Sequence, residues 1–274
     1  GYAHFLTQDW SLPYRHQRIE QLLSASDRHD AASMAAIQND VQSLATQALL
    51  PALRKAQSGH VLAVQVLQLM ARFDGHMDKS RPEPLIFSVW VDELTRGIVI
   101  PRIGEQLFAM ASGKRDFRAG LEGILARNDV WWCAPKSCAQ QVGDALTRTL
   151  DKLQAAYGPD PQRWRWGDAH PALSAHRPFA GVAALAPVFN VSVASSGDSY
   201  TVNVGQYNPN PLPADARGPL AGRFVNRHAP SLRAIYDLGD LVSSRFIYQT
   251  GQSGLALSGR YSVMRDEWAS GRYR

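Results

Sequence analysis

The chain has 274 residues, of which 45% are hydrophobic and 19% are charged, a composition typical of a folded globular protein and not of a disordered one. Its net charge of +5 comes from 29 Lys and Arg against 24 Asp and Glu, and the positive residues are spread along the chain. We therefore expect no nucleic-acid partner, because nucleic-acid binding needs a dense basic face. We also expect no membrane partner, because no apolar run approaches the roughly 18 residues of a membrane span.

The first half of the sequence predicts helices. Apolar residues recur at three-to-five-residue spacing from Asp30 to about Arg72, with a break at Ser58 and Gly59. Asp30 or Ser33 would cap the first helix, because their side-chain oxygens can accept hydrogen bonds from the unpaired amides of its first turn. Two further helices are predicted, from about Pro84 to Met110 and from Ala139 to Tyr157.

The second half, after Gly158, predicts strands and loops. Short runs rich in β-branched and aromatic residues favour strands at 200–204, 232–236 and 244–248, and the prolines of 208–213 predict a loop. The whole pattern predicts one α+β unit over residues 1–274. It is mostly helical in 1–157, and a mainly antiparallel sheet lies in the strand- and loop-rich part, 158–274.

The two cysteines, Cys133 and Cys138, are separated by four residues that include a proline and a serine. This spacing suits a small turn closed by a disulfide, which predicts an oxidising compartment and therefore a periplasmic or secreted location. The alternative is two buried free thiols. A zinc site is not expected, because no His or further Cys lies nearby to complete four ligands.

Short motifs run through almost the whole chain in a fixed order. They are 9–20 (DWSLPYRHQRIE), 34–43 (MAAIQNDVQS), 73–75 (FDG), 164–170 (WRWGDAH), 197–203 (GDSYTVN), 231–233 (SLR) with Asp237, 251–254 (GQSG), 258–261 (SGRY) and 268–273 (WASGRY). As an ordered set they resemble the penicillin acylase family of N-terminal-nucleophile (Ntn) hydrolases, in the C-terminal portion of its nucleophile-bearing β chain. Phe73 departs from the family pattern, which has Trp-Asp-Gly there.

The resemblance implies that this chain is part of a four-layered αββα sandwich, in an amidohydrolase that matures by autoproteolytic processing. In that family an N-terminal Ser attacks an acyl amide bond, such as a β-lactam side chain or an acyl-homoserine lactone, and an acyl-enzyme forms. The nucleophile and the oxyanion-binding Asn precede the segment that 9–20 matches. The expected partners are therefore the remaining segments of the same precursor, its α chain and the N-terminal part of its β chain, together with a small-molecule amide substrate. The alternative is a catalytically inactive binding or scaffold domain of the same fold.

Arg15 is the candidate catalytic residue, in a supporting role. The resemblance matches it to an arginine beside the family's active site, where a fixed guanidinium would orient carbonyl groups and favour developing negative charge. The alternative is that Arg15 and Arg18 pair with Asp9 and Glu20 at a helix start.

Three further groups of residues have simpler interpretations. Ser253 lacks the Gly-x-Ser-x-Gly spacing of a nucleophile elbow, so we expect a tight turn there. His170 and His176 lack a third ligand at a diagnostic spacing, so we expect them to bond backbone carbonyls. The tryptophans at 131, 132, 164 and 166 are predicted to lie in the core.

No cofactor and no metal site is predicted from the residues. Several family members hold a structural calcium ion partly through an aspartate upstream of the matched arginine. His4 occupies the comparable position here, and an imidazole is a poor ligand for a hard cation that prefers oxygen. The aspartates at 9, 74, 78 and 198 are explained equally well as caps or turn residues.

Overall fold

The structure is a computed structural model that describes residues 3–8, 10–112, 116–208 and 219–274. Its helices are α1 (Tyr14–Leu23), α2 (Ala31–Gln38), α3 (Leu44–Leu53), α4 (Ala63–Arg72), α5 (Glu83–Ala111), α6 (Asp116–Arg127), α7 (Val130–Cys133), α8 (Cys138–Tyr157), α9 (Trp166–Ala169), α10 (Ala186–Phe189) and α11 (Arg265–Ala269). Its strands are β1 (Pro171–Ser174), β2 (Val191–Ala194), β3 (Leu232–Ile235) and β4 (Arg245–Tyr248). The longer helices all precede Gly158, and the strands all follow it, as the sequence predicts.

The start of α2 is capped by both residues that the sequence singles out. The Asp30 carboxylate accepts from the Ser33 amide at 2.7 Å, and the Ser33 hydroxyl accepts from the Asp30 amide at 2.9 Å. The predicted continuity from α2 into the next helix is wrong, however, because α2 ends at Gln38 and α3 starts with a cap of its own. There the Ser43 hydroxyl accepts from the Thr46 amide at 3.2 Å.

The main core is built around α5 and α8. Both helices match their predicted ranges closely, and α8 buries apolar residues at helical spacing toward α5, including Val142, Leu146 and Leu150. Trp90 of α5 is fully buried, and its indole N–H donates to the Val142 carbonyl at 3.0 Å. Each such buried apolar side chain stabilises the fold by about 1.5–3 kcal/mol relative to exposure.

The disulfide prediction is confirmed. Cys133 at the end of α7 and Cys138 at the start of α8 are bonded, with their Cα atoms 5.1 Å apart. Both residues are buried, and the bond closes the turn between the two helices. The alternative of two free thiols is therefore wrong.

The strands form two separate two-stranded antiparallel sheets in the described part of the chain. β1 pairs with β2, from Pro171 opposite Ala194 to Ser174 opposite Val191. The sequence does not predict this pair, because β1 (PALS) contains no β-branched or aromatic residue. β3 pairs with β4, which confirms the strands predicted near 232–236 and 244–248.

Two sequence predictions in this half have a different outcome. Residues 200–204 form no strand: the Asp198 amide donates to the Thr201 hydroxyl at 3.0 Å, and the chain turns there. The loop predicted at 208–213 lies outside the described residues except for Asn208. The result is a helix-rich body with small antiparallel sheets. No described helix is both long and apolar enough to cross a membrane.

Candidate functional site

The turn at residues 197–203 is fixed by a glycine and a buried carboxylate. Gly197 has φ +93°, and a Cβ there would lie 2.3 Å from the Asn203 carbonyl oxygen, so only glycine fits. The buried Asp198 carboxylate accepts from the Ser43 hydroxyl and from the Tyr200 amide, each at 2.7 Å. Burial raises the pKa of this carboxyl, and the hydrogen bonds oppose the shift.

Helix α1 packs beside this turn through its first residues. The Tyr14 hydroxyl donates to Glu122 at 2.6 Å, and its ring meets the Tyr200 ring edge-on with centroids 6.1 Å apart. Burial, together with the hydrogen bond to Glu122, raises the pKa of Tyr14 to about 12. One turn later, Arg18 donates to both carboxylate oxygens of Asp40, at 3.0 and 2.7 Å. These contacts fix the rotation of α1 about its axis, and hence the direction of the Arg15 side chain, which lies between Tyr14 and Arg18 in the sequence.

Arg15 is exposed, and its Nη2 donates to the Val202 carbonyl at 3.2 Å. The alternative pairing with Glu20 is not observed for either arginine. Glu20 instead pairs with His16 at 3.2 Å, and Asp9 lies outside the described residues. The backbone of the turn therefore orients the Arg15 guanidinium.

Arg15 lies at the edge of a cavity of about 450 Å³. Arg118 and Tyr200 contribute polar groups to its wall, and Phe108, Phe117 and Phe224 contribute an apolar surface. Among the described residues Arg15 uses one of its five donors, so the others can bind a carbonyl or a developing oxyanion at this edge. The site can therefore hold an apolar group beside the Arg15 guanidinium.

His170 has the structural role that the sequence predicts. It is fully buried, and its Nδ1–H donates to the Phe224 carbonyl at 2.6 Å. Burial lowers its pKa to about 3. His176 differs from the prediction: its ring stacks on Phe179, and its Nδ1 has no hydrogen-bond partner among the described residues.

Ser253 lies in a turn, as predicted. Its amide donates to the Arg260 carbonyl at 3.3 Å, and its hydroxyl accepts from the Leu255 amide at 3.1 Å. A Cβ on Gly251 would lie 2.1 Å from the Arg260 carbonyl oxygen, which explains the glycine. These contacts assign Ser253 a structural role.

The tryptophan prediction is correct for Trp164 and Trp166, which are buried, and wrong for Trp131. Trp131 is 60% exposed, with the Arg102 guanidinium 4.8 Å from its ring centroid. Trp132 is partly buried and meets Trp131 edge-on.

The aspartates considered as metal ligands act as turn residues where the structure describes them. Asp74 accepts from the His76 amide at 3.0 Å, and Asp78 accepts from the Ser80 amide at 2.7 Å. Within the described ranges, no three His, Cys, Asp or Glu side chains gather closely enough to hold a metal ion.

Comparison with known proteins decides the family. The family model described as penicillin amidase matches residues 1–274, the full chain. The chain belongs to the penicillin amidase family. This confirms the resemblance carried by the ordered motifs.

Relatives within the penicillin amidase family are considerably longer than this chain. The acyl-homoserine lactone acylase QuiP of Pseudomonas putida is 24% identical over 310 residues, which cover 100% of this chain and 35% of the relative. The penicillin acylase 2 proenzyme of Pseudomonas sp. strain SE83 is 26% identical over 273 residues, covering 97% of this chain and 33% of the relative. The chain thus spans about a third of the length of these relatives.

A solved structure supports the same fold. A thermostable penicillin G acylase from Alcaligenes faecalis superposes with a TM-score of 0.59 at 12% identity. The match covers 100% of this chain and 52% of the solved chain. At this identity the likeness shows the fold alone.

Proposed function

We propose that this chain is the C-terminal portion of the nucleophile-bearing chain of an amidohydrolase that hydrolyses an acyl amide bond. The family match over all 274 residues supports the reaction class. The relatives named as acylases of acyl-homoserine lactones and of penicillin support a substrate of one of these two kinds. The observation that carries the proposal is the Arg15 guanidinium, which the Val202 carbonyl holds at the edge of a partly apolar cavity.

In the proposed reaction an N-terminal Ser on another segment attacks the amide carbon, and its own α-amine accepts the hydroxyl proton. The tetrahedral intermediate loses the amine as the acyl-enzyme forms, and water then releases the acid. An Asn side chain and a backbone amide bind the oxyanion, and Arg15 adds positive potential beside them. Because one Nη is bound to Val202, the guanidinium is oriented before substrate arrives.

The complete enzyme would comprise this chain, as a single unit over residues 1–274, with the α chain and the N-terminal part of the β chain. Autoproteolytic processing of one precursor would produce these parts, and together they would form the four-layered αββα sandwich. The likeness to a solved penicillin G acylase supports that arrangement. The disulfide between Cys133 and Cys138 supports a periplasmic or secreted location, because such bonds persist in oxidising compartments.

The test starts from the complete protein, purified without denaturation. Intact mass and N-terminal sequencing identify its chains, and mass spectrometry follows acid release from penicillin G and from acyl-homoserine lactones of several chain lengths. We expect a chain that begins with Ser and precedes this segment, together with release of the free acid. An unprocessed protein with no candidate nucleophile and no turnover would instead support the inactive scaffold of the same fold.

Arg15 is tested by Arg15→Met, which removes the cation and keeps much of the side-chain volume. We expect kcat to fall on the order of 10²-fold with a smaller change in KM, because the charge acts mainly on the developing oxyanion. Arg15→Lys should recover part of the loss. The matched control is Arg72→Met on the exposed end of α4. Unchanged kcat in the folded Arg15→Met enzyme would remove Arg15 from the site.

A further inference from the structure

A second cavity, of about 510 Å³, adjoins the cavity beside Arg15, because Val204 lines both of them. It opens between the end of α2, the loop that precedes α5, and the end of α11. Its wall is largely polar and includes Asn39, Lys79, Ser195, Asn226 and Arg233. We call it the Arg233 cavity.

Arg233 is a buried cation that the described residues do not neutralise. It is 5% exposed on β3, with its guanidinium 4.7 Å from the Trp268 ring centroid. Its two Nη groups donate to the Trp268 carbonyl at 3.0 Å and to the Asn203 side-chain oxygen at 3.1 Å. No carboxylate oxygen of the described chain lies within 4 Å of it, and its Nε–H has no partner there. A buried charge without a counter-ion is costly, so a partner is expected.

The carboxylates that also line the cavity are engaged elsewhere. Asp40 is bound through both oxygens by Arg18, and Asp78 accepts from the amide and the hydroxyl of Ser80. Burial lowers the pKa of Arg233 to about 10, and no described carboxylate contributes an opposing shift. The guanidinium nevertheless stays charged at neutral pH, so it needs an anion and does not lose its proton.

Two other polar residues, Lys79 and Asn226, line the same cavity. Lys79 adds a second positive charge, and its ammonium donates to the Ala269 carbonyl at 2.7 Å. Asn226 is 1% exposed, and its Nδ2 donates to the Ser195 hydroxyl at 3.1 Å. Its Oδ1 is an acceptor with no donor among the described residues. The wall therefore offers positive charge from Arg233 and Lys79, and Asn226 belongs to its buried polar surroundings.

We propose that the Arg233 cavity binds a carboxylate group, which pairs with the guanidinium of Arg233 near the ammonium of Lys79. Two sources have this chemistry. One is an acidic residue in another segment of the complete protein. The other is a free small carboxylate. The inference does not depend on amide hydrolysis, since neither Arg233 nor Lys79 lines the cavity beside Arg15.

The first experiment is a crystal structure of the complete protein grown in a carboxylate-free buffer, followed by a second after soaking with glycolate. A protein carboxylate within 4 Å of the Arg233 guanidinium in the first crystal supports the proposal and identifies a protein segment as the source. Glycolate bound there in the second crystal supports the free ligand. A cavity without a carboxylate at Arg233 in both crystals overturns the proposal.

The second experiment measures melting temperature against glycolate concentration for the wild type, Arg233→Gln and the exposed control Arg260→Gln. If the ligand is free, the wild type and the control show a saturable rise, and Arg233→Gln weakens glycolate binding at least tenfold. Lys79→Gln should also weaken it, because it removes the second positive charge of the cavity wall. A glycolate response that is identical in Arg233→Gln contradicts binding at this cavity.

Discussion

His170 should make the protein lose stability as the pH falls below neutrality. Its imidazole is fully buried, stacks on Trp166 with ring centroids 4.3 Å apart, and donates from Nδ1 to the Phe224 carbonyl. Its Nε2 has no hydrogen-bond partner among the described residues. A proton added at Nε2 would therefore place an unpaired charge in the core, which is why the pKa falls from 6.5 to about 3.

The direction of this pH dependence follows from the number of protons that the folded and the unfolded chain bind. Between pH 6.5 and 3 the unfolded chain protonates this histidine and the folded chain does not. The unfolding free energy therefore decreases as the pH falls, by about 1.4 kcal/mol per unit within that window. Between pH 6.5 and 4 the loss from His170 alone is about 3 kcal/mol, and above pH 6.5 the contribution is constant.

The perturbation is His170→Gln, which can still donate to the Phe224 carbonyl and does not titrate. Urea unfolding of the complete protein, followed by tryptophan fluorescence at several pH values, gives the unfolding free energy of each variant. Relative to the wild type, His170→Gln should lose about 3 kcal/mol less between pH 6.5 and 4. The control His228→Gln, at an exposed histidine, should keep the wild-type pH dependence.

A direct readout is the NMR titration of ring-labelled histidine in the folded protein. The His170 resonance should stay at its neutral position between pH 7.5 and 4.5. A midpoint near 6.5 for that resonance would refute the argument, because it would mean that burial does not exclude the proton. Equal pH dependence of the wild type and His170→Gln would refute it independently.

Two other predictions concern the scaffold. Gly205→Ala should cost roughly 1–3 kcal/mol of stability, because its Cβ would lie 2.4 Å from the His170 Nε2. Gly254→Ala, with no atom within 4 Å of its Cβ, is the control in thermal unfolding, and equal melting temperatures would contradict the packing. Replacing both Cys133 and Cys138 by Ala should cost about 2 kcal/mol, because the bond restricts the unfolded chain. Thiol titration of the unfolded, unreduced wild type should find no free thiol, and two titratable thiols would contradict the disulfide.

Sequence reasoning predicted the local features of the fold well. The cap at Asp30, the range of α8 and the pairing of Cys133 with Cys138 depend on neighbours a few residues apart. It does not predict β1 and β2, because β1 (PALS) has no β-branched or aromatic residue and the pairing depends on contacts between distant parts of the chain. The strand expected at 200–204 does not form, because the Asp198 carboxylate accepts from the Tyr200 amide and closes a turn. Residue-by-residue β propensity does not take such a side-chain hydrogen bond into account.

The candidate site was predictable only in part. Arg15 could be selected because the segment around it resembles a family motif, but its partner, the Val202 carbonyl, is a backbone atom that no side-chain pattern indicates. Arg118 was missed because it comes to the same cavity from α6, far along the chain. Tyr200 could have been selected as a second residue of this cavity, since it belongs to the 197–203 motif. Arg233 also lay within a motif, but only the fold shows that it is buried without a carboxylate.

The buried carboxylate of Asp198 has a consequence for engineering this protein. It binds the Ser43 hydroxyl, which caps α3, and it also holds the turn whose Val202 carbonyl orients Arg15. A substitution made at Ser43 to improve thermostability would therefore shift the surroundings of Arg15 as well. With the role proposed for Arg15, selection for heat resistance at Ser43 should therefore also return variants altered in turnover.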